Sequence, residues 1–407
     1  MRNLKRALSL AVASVMLLGM MVVGSGAVSY DDVTSEHNTE AIEVLQAIGA
    51  MVGDGESFNP DQNVTREEMA VIMCNLLDYT VSSYQGLTRF TDVSDWARPY
   101  VEACYTNGII AGYSDTQFGG ADPVTTGQAG LMIMKALGYF QEMGDFGADW
   151  LVATVSQGAQ IELFDGVDKG ANEALTRNDV AQMVLNALQS DCVRIASHDL
   201  VADGNGGFTT RAVYTARTSD NSKYSKIKDE KDSLVYVEDY TIQLGEELYD
   251  GDLVRLGTAD AFGRPAVEWK FDAQQIGLYA DDSNLRATYT AKAPKGEMYS
   301  AIGSSVYNNL GRGEDYELNV WVDGVEYADL TTAQVGIYFD KNSTAAAGTR
   351  DVYGTGVSGN GVVTELYLDS TNDEVRIVMI STWLVKATAD YNETRELVTV
   401  EPVRINS

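Results

Sequence analysis

Self-similarity at a fixed offset constrains this chain more than its composition does, because a repeated unit too small to bury its own apolar face must pack on its copies. Tyr30-Asp31-Asp32-Val33 answers to Phe90-Thr91-Asp92-Val93, Phe58 to Phe118, and Val64-Thr65 to Val124-Thr125, each pair offset by 60. A third, shorter copy starts near Phe146 and reaches Leu175-Thr176-Arg177. Each copy reads as an aromatic-x-Asp-Val start or its remnant, a helix, a Gly-apolar turn, and a loop that ends in Thr and opens a second helix. The second helices carry Met69, Ile72, Met73, Leu76 and Leu77; then Leu131, Met134, Leu137 and Gly138; then Val180, Met183, Val184, Ala187 and Leu188. Spacings of three and four place each set on one face. The three copies are therefore expected to share a single core.

The loop-to-helix junctions read Val64-Thr65-Arg66-Glu67-Glu68, Val124-Thr125-Thr126-Gly127-Gln128 and Leu175-Thr176-Arg177-Asn178-Asp179. Thr followed three residues later by Glu, Gln or Asp is a capping box or its near variant, worth about 1 kcal/mol per cap. That accounts for the Thr and the acid without any ligand. It does not account for Arg66 and Arg177, since a cation in the first helical turn opposes the helix dipole.

These motifs resemble S-layer homology (SLH) repeats. The second copy supplies Phe90-Thr91-Asp92-Val93, Trp96, Gly108-Ile109, Gly112, Asp115, Phe118 and Pro123. The first supplies Tyr30, Asp32-Val33, Gly53, Phe58, Pro60 and Val64 to Glu68, and the third Phe146, Trp150, Gly158 and Leu175 to Asp179. The resemblance covers about residues 28–195, as repeats near 28–80, 88–140 and 145–190. It implies a pseudo-threefold helical bundle whose inter-repeat grooves bind anionic, often pyruvylated, secondary cell-wall polysaccharide. It also implies that Arg66 and Arg177 are the ligand arginines and that Trp96 and Trp150 hold the place of the repeat's Trp. Those two tryptophans would stack on a sugar or fill the core. Thr65 and Thr176 complete the candidate site beside the arginines. A guanidinium suits a carboxylate, and free N–H groups at the helix start would add to it. Substituting both arginines by Ala is expected to abolish wall binding with the helical fold intact. Thr126 stands where the second copy should have Arg, Gly127-Gln128 replaces Ala-Glu, and His37 lies near the place of the first copy's Trp. At most two grooves are therefore expected to work.

Residues 1–27 carry Arg2, Lys5 and Arg6, then an apolar stretch from Ala7 to Val23 broken only by Ser9, Ser14 and Gly19, then Gly-Ser-Gly-Ala. This is the order of a secretory signal peptide cut after Ala27; the alternative is a retained anchor, for which about 20 apolar residues would be usual. No later run is comparable, so no membrane partner is expected after cleavage. With 29 Lys+Arg against 59 Asp+Glu, a net charge of −30, the chain lacks the cationic excess that nucleic acid or anionic lipid requires. His37 and His198 are its only histidines, too few for the usual zinc sites. No cofactor is expected, a structural divalent cation such as calcium excepted. Cys74, Cys104 and Cys192 are an odd set; the first two lie in apolar helical runs and read as small buried thiols.

After Ser190 the texture changes. Residues 196–207 read as a polar, Gly-rich linker, 208–300 as a β-rich domain and 301–407 as a second, truncated one. Fifteen of the 22 tyrosines follow residue 200, in short runs that read as strands at 211–218, 234–244, 266–271, 287–291, 316–322, 361–368 and 375–386. Asp323-Gly324 is a two-residue hairpin signal, Ser370 to Asp373 a turn and 295–303 a short helix. The predicted fold class is thus α then β: the helical bundle followed by one or two small antiparallel β domains. Asp203-Gly204-Asn205-Gly206 fails as a calcium loop, since Phe208 takes the glycine position. No nucleophile elbow, phosphate loop or metal cluster stands out. The reading is a non-enzymatic cell-surface protein held to wall polysaccharide and able to self-assemble in a surface layer. Alternatives are an SLH-tethered enzyme acting on polysaccharide and a surface adhesin.

Overall fold

The computed structural model describes residues 30–84, 88–219, 227, 240–310, 316–327, 330–348, 358–359, 361–370, 373–389 and 398–402. The expected signal segment, the glycine cluster at 311–313 and most of that at 354–361 lie outside the described residues. The described chain forms two compact units, one of residues 30–257 with 267–279, the other of 258–266 with 280–402. The boundary expected at 300 is therefore misplaced.

Six helices follow one another in the first unit: α1 (Thr39–Ala47), α2 (Arg66–Leu76), α3 (Arg98–Thr106), α4 (Thr126–Ala136), α5 (Trp150–Gln160) and α6 (Arg177–Leu188). They are two per repeat segment, as the periodicity predicts. Packing, however, runs between segments: α2 lies on α3, α4 on α5, and α6 on α1. The capping boxes form at all three junctions, Thr65 with Glu68, Thr125 with Gln128 and Thr176 with Asp179. Just before each cap the segments join through their backbones. Val64 N–H donates to the Leu175 carbonyl (3.0 Å), Leu175 N–H to that of Val124 (3.0 Å), and Val124 N–H to that of Val64 (2.8 Å), closing a ring. All three side chains are buried in the shared core.

The aromatic-x-Asp-Val starts hold the loops that precede the second helices. Asp92 accepts the N–H groups of Phe118 and Gly119 (both 2.8 Å), and Asp32 those of Phe58 and Asn59 (2.8 and 2.7 Å). Gly53 and Gly112 lie so close to Tyr30 and Phe90 that a Cβ on either would fall 2.4 Å from the ring. The third segment lacks this motif and is built differently. Phe146 stacks on Phe140 instead, Gly158 sits inside α5 against Phe164, and Asn186 holds the loop through the Leu163 and Asp165 carbonyls.

The segment read as a linker, 196–207, is most of β1 (Val193–Ala202) and the turn that joins it antiparallel to β2 (Phe208–Ala216), which holds most of the strand expected at 211–218. Strand β1 is largely exposed, which is why its sequence looks like a polar linker. Asp203 closes the turn by accepting the N–H groups of Asn205 and Gly207 (both 2.8 Å). Next come β3 (Thr218–Ser219), β4 (Tyr240–Thr241) and α7 (Leu244–Tyr249). The strand expected over 234–244 thus shrinks to β4 among the described residues, because a capping box between Gln243 and Glu246 starts a helix at Leu244. A sheet ordered β5 (Leu253–Ala259), β6 (Pro265–Phe271), β7 (Gln274–Ala280) completes the unit, and the division between units falls within it. Its buried Trp269 donates to Glu40 (2.6 Å), and Tyr279 Oη donates to the Glu43 carboxylate, so α1 is pinned by two acids.

The second unit is built on a five-stranded sheet in the order β10 (Val325–Tyr327), β9 (Glu317–Val322), β12 (Glu374–Ser381), β11 (Val362–Asp369), β8 (Leu285–Tyr289). Strand β8 precedes residue 300 yet belongs here. Strands β9 and β12 run parallel, a departure from the antiparallel expectation that the long connection between them permits. Helices α8 (Lys295–Asn309) and α9 (Thr332–Tyr338) supply Met298, Ile302, Val335 and Tyr338 to the core on one face. The predicted helix over 295–303 ends in register with the kink at Gly303, where φ is +80°. Asp323 and Gly324, both at positive φ, form the expected two-residue turn. A short hairpin, β13 (Val385–Ala387) with β14 (Val400–Pro402), ends the described chain.

Two outcomes are expected. Leu175→Ala, at a fully buried ring position, should cost the first unit about 2–5 kcal/mol, read by chemical denaturation. Burial raises the Glu43 carboxyl above its ordinary value, only partly offset by the Tyr279 hydroxyl. The folded state therefore binds the proton more tightly, and stability falls as pH rises from the unfolded value near 4.3 through the raised folded value. Glu43→Gln should flatten that stretch of the melting temperature against pH profile.

Candidate binding site at the Thr-Arg junctions

The two junction arginines do the same thing in the same way. Arg66 Nε donates to the Phe118 carbonyl (3.0 Å) and Nη2 to that of Ala111 (2.9 Å), with the guanidinium 4.5 Å above the Phe118 ring. Arg177 Nε donates to the Phe58 carbonyl (2.7 Å) and Nη2 to that of Val52 (2.9 Å), 4.5 Å above the Phe58 ring. Each arginine thus reaches from the start of one segment's second helix into another segment's loop. In both cases Nη1 has no protein partner among the described residues. Burial lowers both guanidinium pKa values; Tyr113, Asp122 and Asp92 oppose this at Arg66, and Glu68, Tyr30 and Asp32 at Arg177. Arg66 is only 3% exposed, whereas Arg177 is partly buried.

The free helix-start N–H groups expected here are not free. Arg66 N–H donates to Asp122, Glu67 N–H to Gly120, and Glu68 N–H to the Thr65 hydroxyl. Arg177 N–H donates to Gln62, Asn178 N–H to Pro60, and Asp179 N–H to the Thr176 hydroxyl. Thr65 and Thr176 are therefore engaged as caps, and the amides serve as joints between segments. Any anion held here must be gripped by side chains.

The second junction is filled. Thr126 is buried, its hydroxyl donating to the Glu173 carbonyl (3.3 Å). A Cβ on Gly127 would meet Leu151 Cδ1 at 2.2 Å, so this leucine from α5 closes the space. Among the described residues no arginine stands there.

Of the tryptophans, neither is in the core. Trp96 is 54% and Trp150 42% exposed, which favours surface contact over packing. Sequence reasoning missed Tyr113, 57% exposed and 4.6 Å from the Arg66 guanidinium. Asp54 takes the matching place in the first segment, so no repeat signal marks it. Also missed was buried Glu67, which accepts from Ser94 N–H (3.1 Å) and Oγ (2.7 Å) and ties α2 to the turn carrying Trp96. His37, near the first segment's Trp place, instead accepts Thr34 N–H on Nδ1 (2.9 Å). A cavity of about 1110 Å³ between α5 and the β1–β2 hairpin is lined by none of the candidate residues. Among the described residues no group of three or more His, Cys, Asp or Glu is placed to hold a metal, and no helix is long and apolar enough to cross a membrane.

Residues 29–70 and 89–129 match the S-layer homology domain. The chain is similar to the middle cell wall protein of Brevibacillus brevis, 25% identical over 310 residues, covering 75% of this chain and 27% of the relative. It is also similar to the surface layer protein of Brevibacillus choshinensis, at 22% identity over 307 residues, 74% of this chain and 25% of that one. The chain thus spans about a quarter of these relatives' length. An amylopullulanase of Thermoanaerobacterium thermosulfurigenes matches at 30% identity, over 26% of this chain and 6% of the enzyme.

Two measurements test the geometry. Arg66→Ala removes the donors of two carbonyls and should cost about 2–4 kcal/mol, seen as an earlier urea transition; Arg177→Ala should cost less. The fold is thus not expected to be indifferent to the double substitution. Burial would raise the Asp32 and Asp92 carboxyls, but the N–H groups they accept outweigh it and hold both below the ordinary value. Their stabilisation is present above the unfolded value near 3.9 and lost as pH falls through the depressed folded values. Asp92→Asn should remove part of that acid sensitivity in melting curves below pH about 4.

Proposed function

We propose that this is a secreted cell-surface protein of the S-layer type, anchored non-covalently to the cell wall through its SLH repeats. The third segment is the third repeat, and the three together form the pseudo-threefold bundle of the family. The observation that carries the reading is the equivalence of the Arg66 and Arg177 junctions, one of which lies on the segment beyond the two matched repeats. Each offers an unused Nη1 above an aromatic ring, suited to the carboxylate of an anionic, pyruvylated wall polysaccharide. Exposed Tyr113, against the Arg66 guanidinium, and exposed Trp96, on the turn that Glu67 holds, would serve as sugar-stacking faces, and Trp150 lies on the third segment. The second unit is displayed at the surface, and the similarity to a middle cell wall protein and a surface layer protein supports assembly into a layer. A display role is favoured over catalysis because the relatives named for the wall and the surface layer match three-quarters of the chain. The enzyme matches over about a quarter. No cofactor is invoked.

The test is co-sedimentation of the full chain with purified walls. Trp96→Ala with Tyr113→Ala should weaken binding about tenfold or more with an unchanged melting temperature. Undiminished binding by this pair and by Arg177→Ala would place the ligand elsewhere.

A further inference from the structure

Two of the three cysteines meet across the first inter-segment helix pair. Cys74 on α2 and Cys104 on α3 have Sγ atoms 3.4 Å apart. Each thiol also rests on the opposite helix, Cys74 on the Tyr100 carbonyl and Cys104 on that of Ala70, both at 3.4 Å. The relative exposures are 2% and 0%. We propose that Cys74 and Cys104 are a modification site, a dithiol that is converted to an inter-repeat disulfide by a low-molecular-weight disulfide such as oxidised glutathione.

The separation exceeds the S–S bond of about 2.05 Å by little more than 1 Å, and each Sγ lies against a backbone carbonyl of the other helix, so the two sulfurs already face each other across the pair. One thiolate attacks the oxidant and releases one reduced thiol. The second then attacks the mixed disulfide and releases another, so two protein thiols and one oxidant disulfide become one protein disulfide and two small thiols. The contact with the Cys74 sulfur, and then burial, raise the Cys104 thiol well above its ordinary value, and burial pushes Cys192 up to about 12. The folded pair is therefore slow to react, and the bond forms most readily as the chain folds. Cys192, buried elsewhere in the unit, has no sulfur contact among the described residues. The bond would tie α2 to α3 across the junction of the first two segments. It does not depend on wall binding.

The experiment refolds the full chain from denaturant in a glutathione redox buffer, then alkylates it in denaturant and maps peptides by mass spectrometry. Expected are a Cys74–Cys104 cross-linked peptide with Cys192 alkylated, and a melting midpoint about 10 °C above the reduced protein. Dithiothreitol should abolish both, Cys104→Ser should show neither, and Cys192→Ser should retain both. Three alkylated thiols after oxidative refolding would overturn the proposal, as would a cross-link through Cys192 or a midpoint no higher than that of the reduced chain.

Discussion

Everything in the first unit depends on the ring of backbone hydrogen bonds through Val64, Val124 and Leu175. A single segment contributes two helices that do not pack on each other but on the helices of its neighbours. No segment can therefore bury its apolar face alone. The ring sets the three second helices at a common origin, and the capping boxes one residue later fix the direction in which each leaves. Because the ring is made of main-chain groups, it tolerates different side chains, and this is how a third segment lacking the aromatic-x-Asp-Val start still joins.

The arginines occupy a position that electrostatics alone disfavours, at the positive end of a helix. The structure resolves this: the guanidinium does not sit on the dipole but reaches sideways to two carbonyls and an aromatic ring of another segment. It is a brace first. Ligand binding, under the proposed anchoring, uses what the brace leaves over. Such economy matters in a chain of net charge −30, where a freely exposed cation would be drawn to the chain's own carboxylates. Each guanidinium is instead fixed by neutral carbonyls, while the carboxylates near it, Asp92 and Asp122 at Arg66 and Glu68 and Asp32 at Arg177, act on it through the field without an ion pair.

Repeat register and helix faces were legible because they rest on local rules: apolar spacing, Thr caps and a fixed offset. Asp92 was visible as a motif but not as the group that ties down a loop 26 residues away, since spacing does not reveal a hydrogen-bond partner. Strand β1 was hidden for a different reason, although most of its partner β2 was legible at 211–218. It is exposed at most positions, so it lacks the alternation by which a half-buried strand is recognised. Likewise β8 could not be assigned to its sheet, because its partner β11 lies more than seventy residues later and pairing at that range leaves no local trace. Tyr113 departs from the repeat, and a reading that searches for equivalence passes over what is not equivalent.

That asymmetry bears on how the protein would hold a wall. Three identical segments would present three identical grooves, but Leu151 and Thr126 fill the second, leaving two of like geometry on one rigid ring. For a polymeric ligand the second groove acts at the effective concentration set by the first, so two weak sites in fixed register bind far more strongly than either alone. The return from a third is smaller when the chain must bend around the ring to reach it. Filling one junction with apolar side chains exchanges a marginal binding site for core packing at the segment that lacks the stabilising Asp. In this arrangement the loss of one groove and the stability of the third segment are one physical compromise.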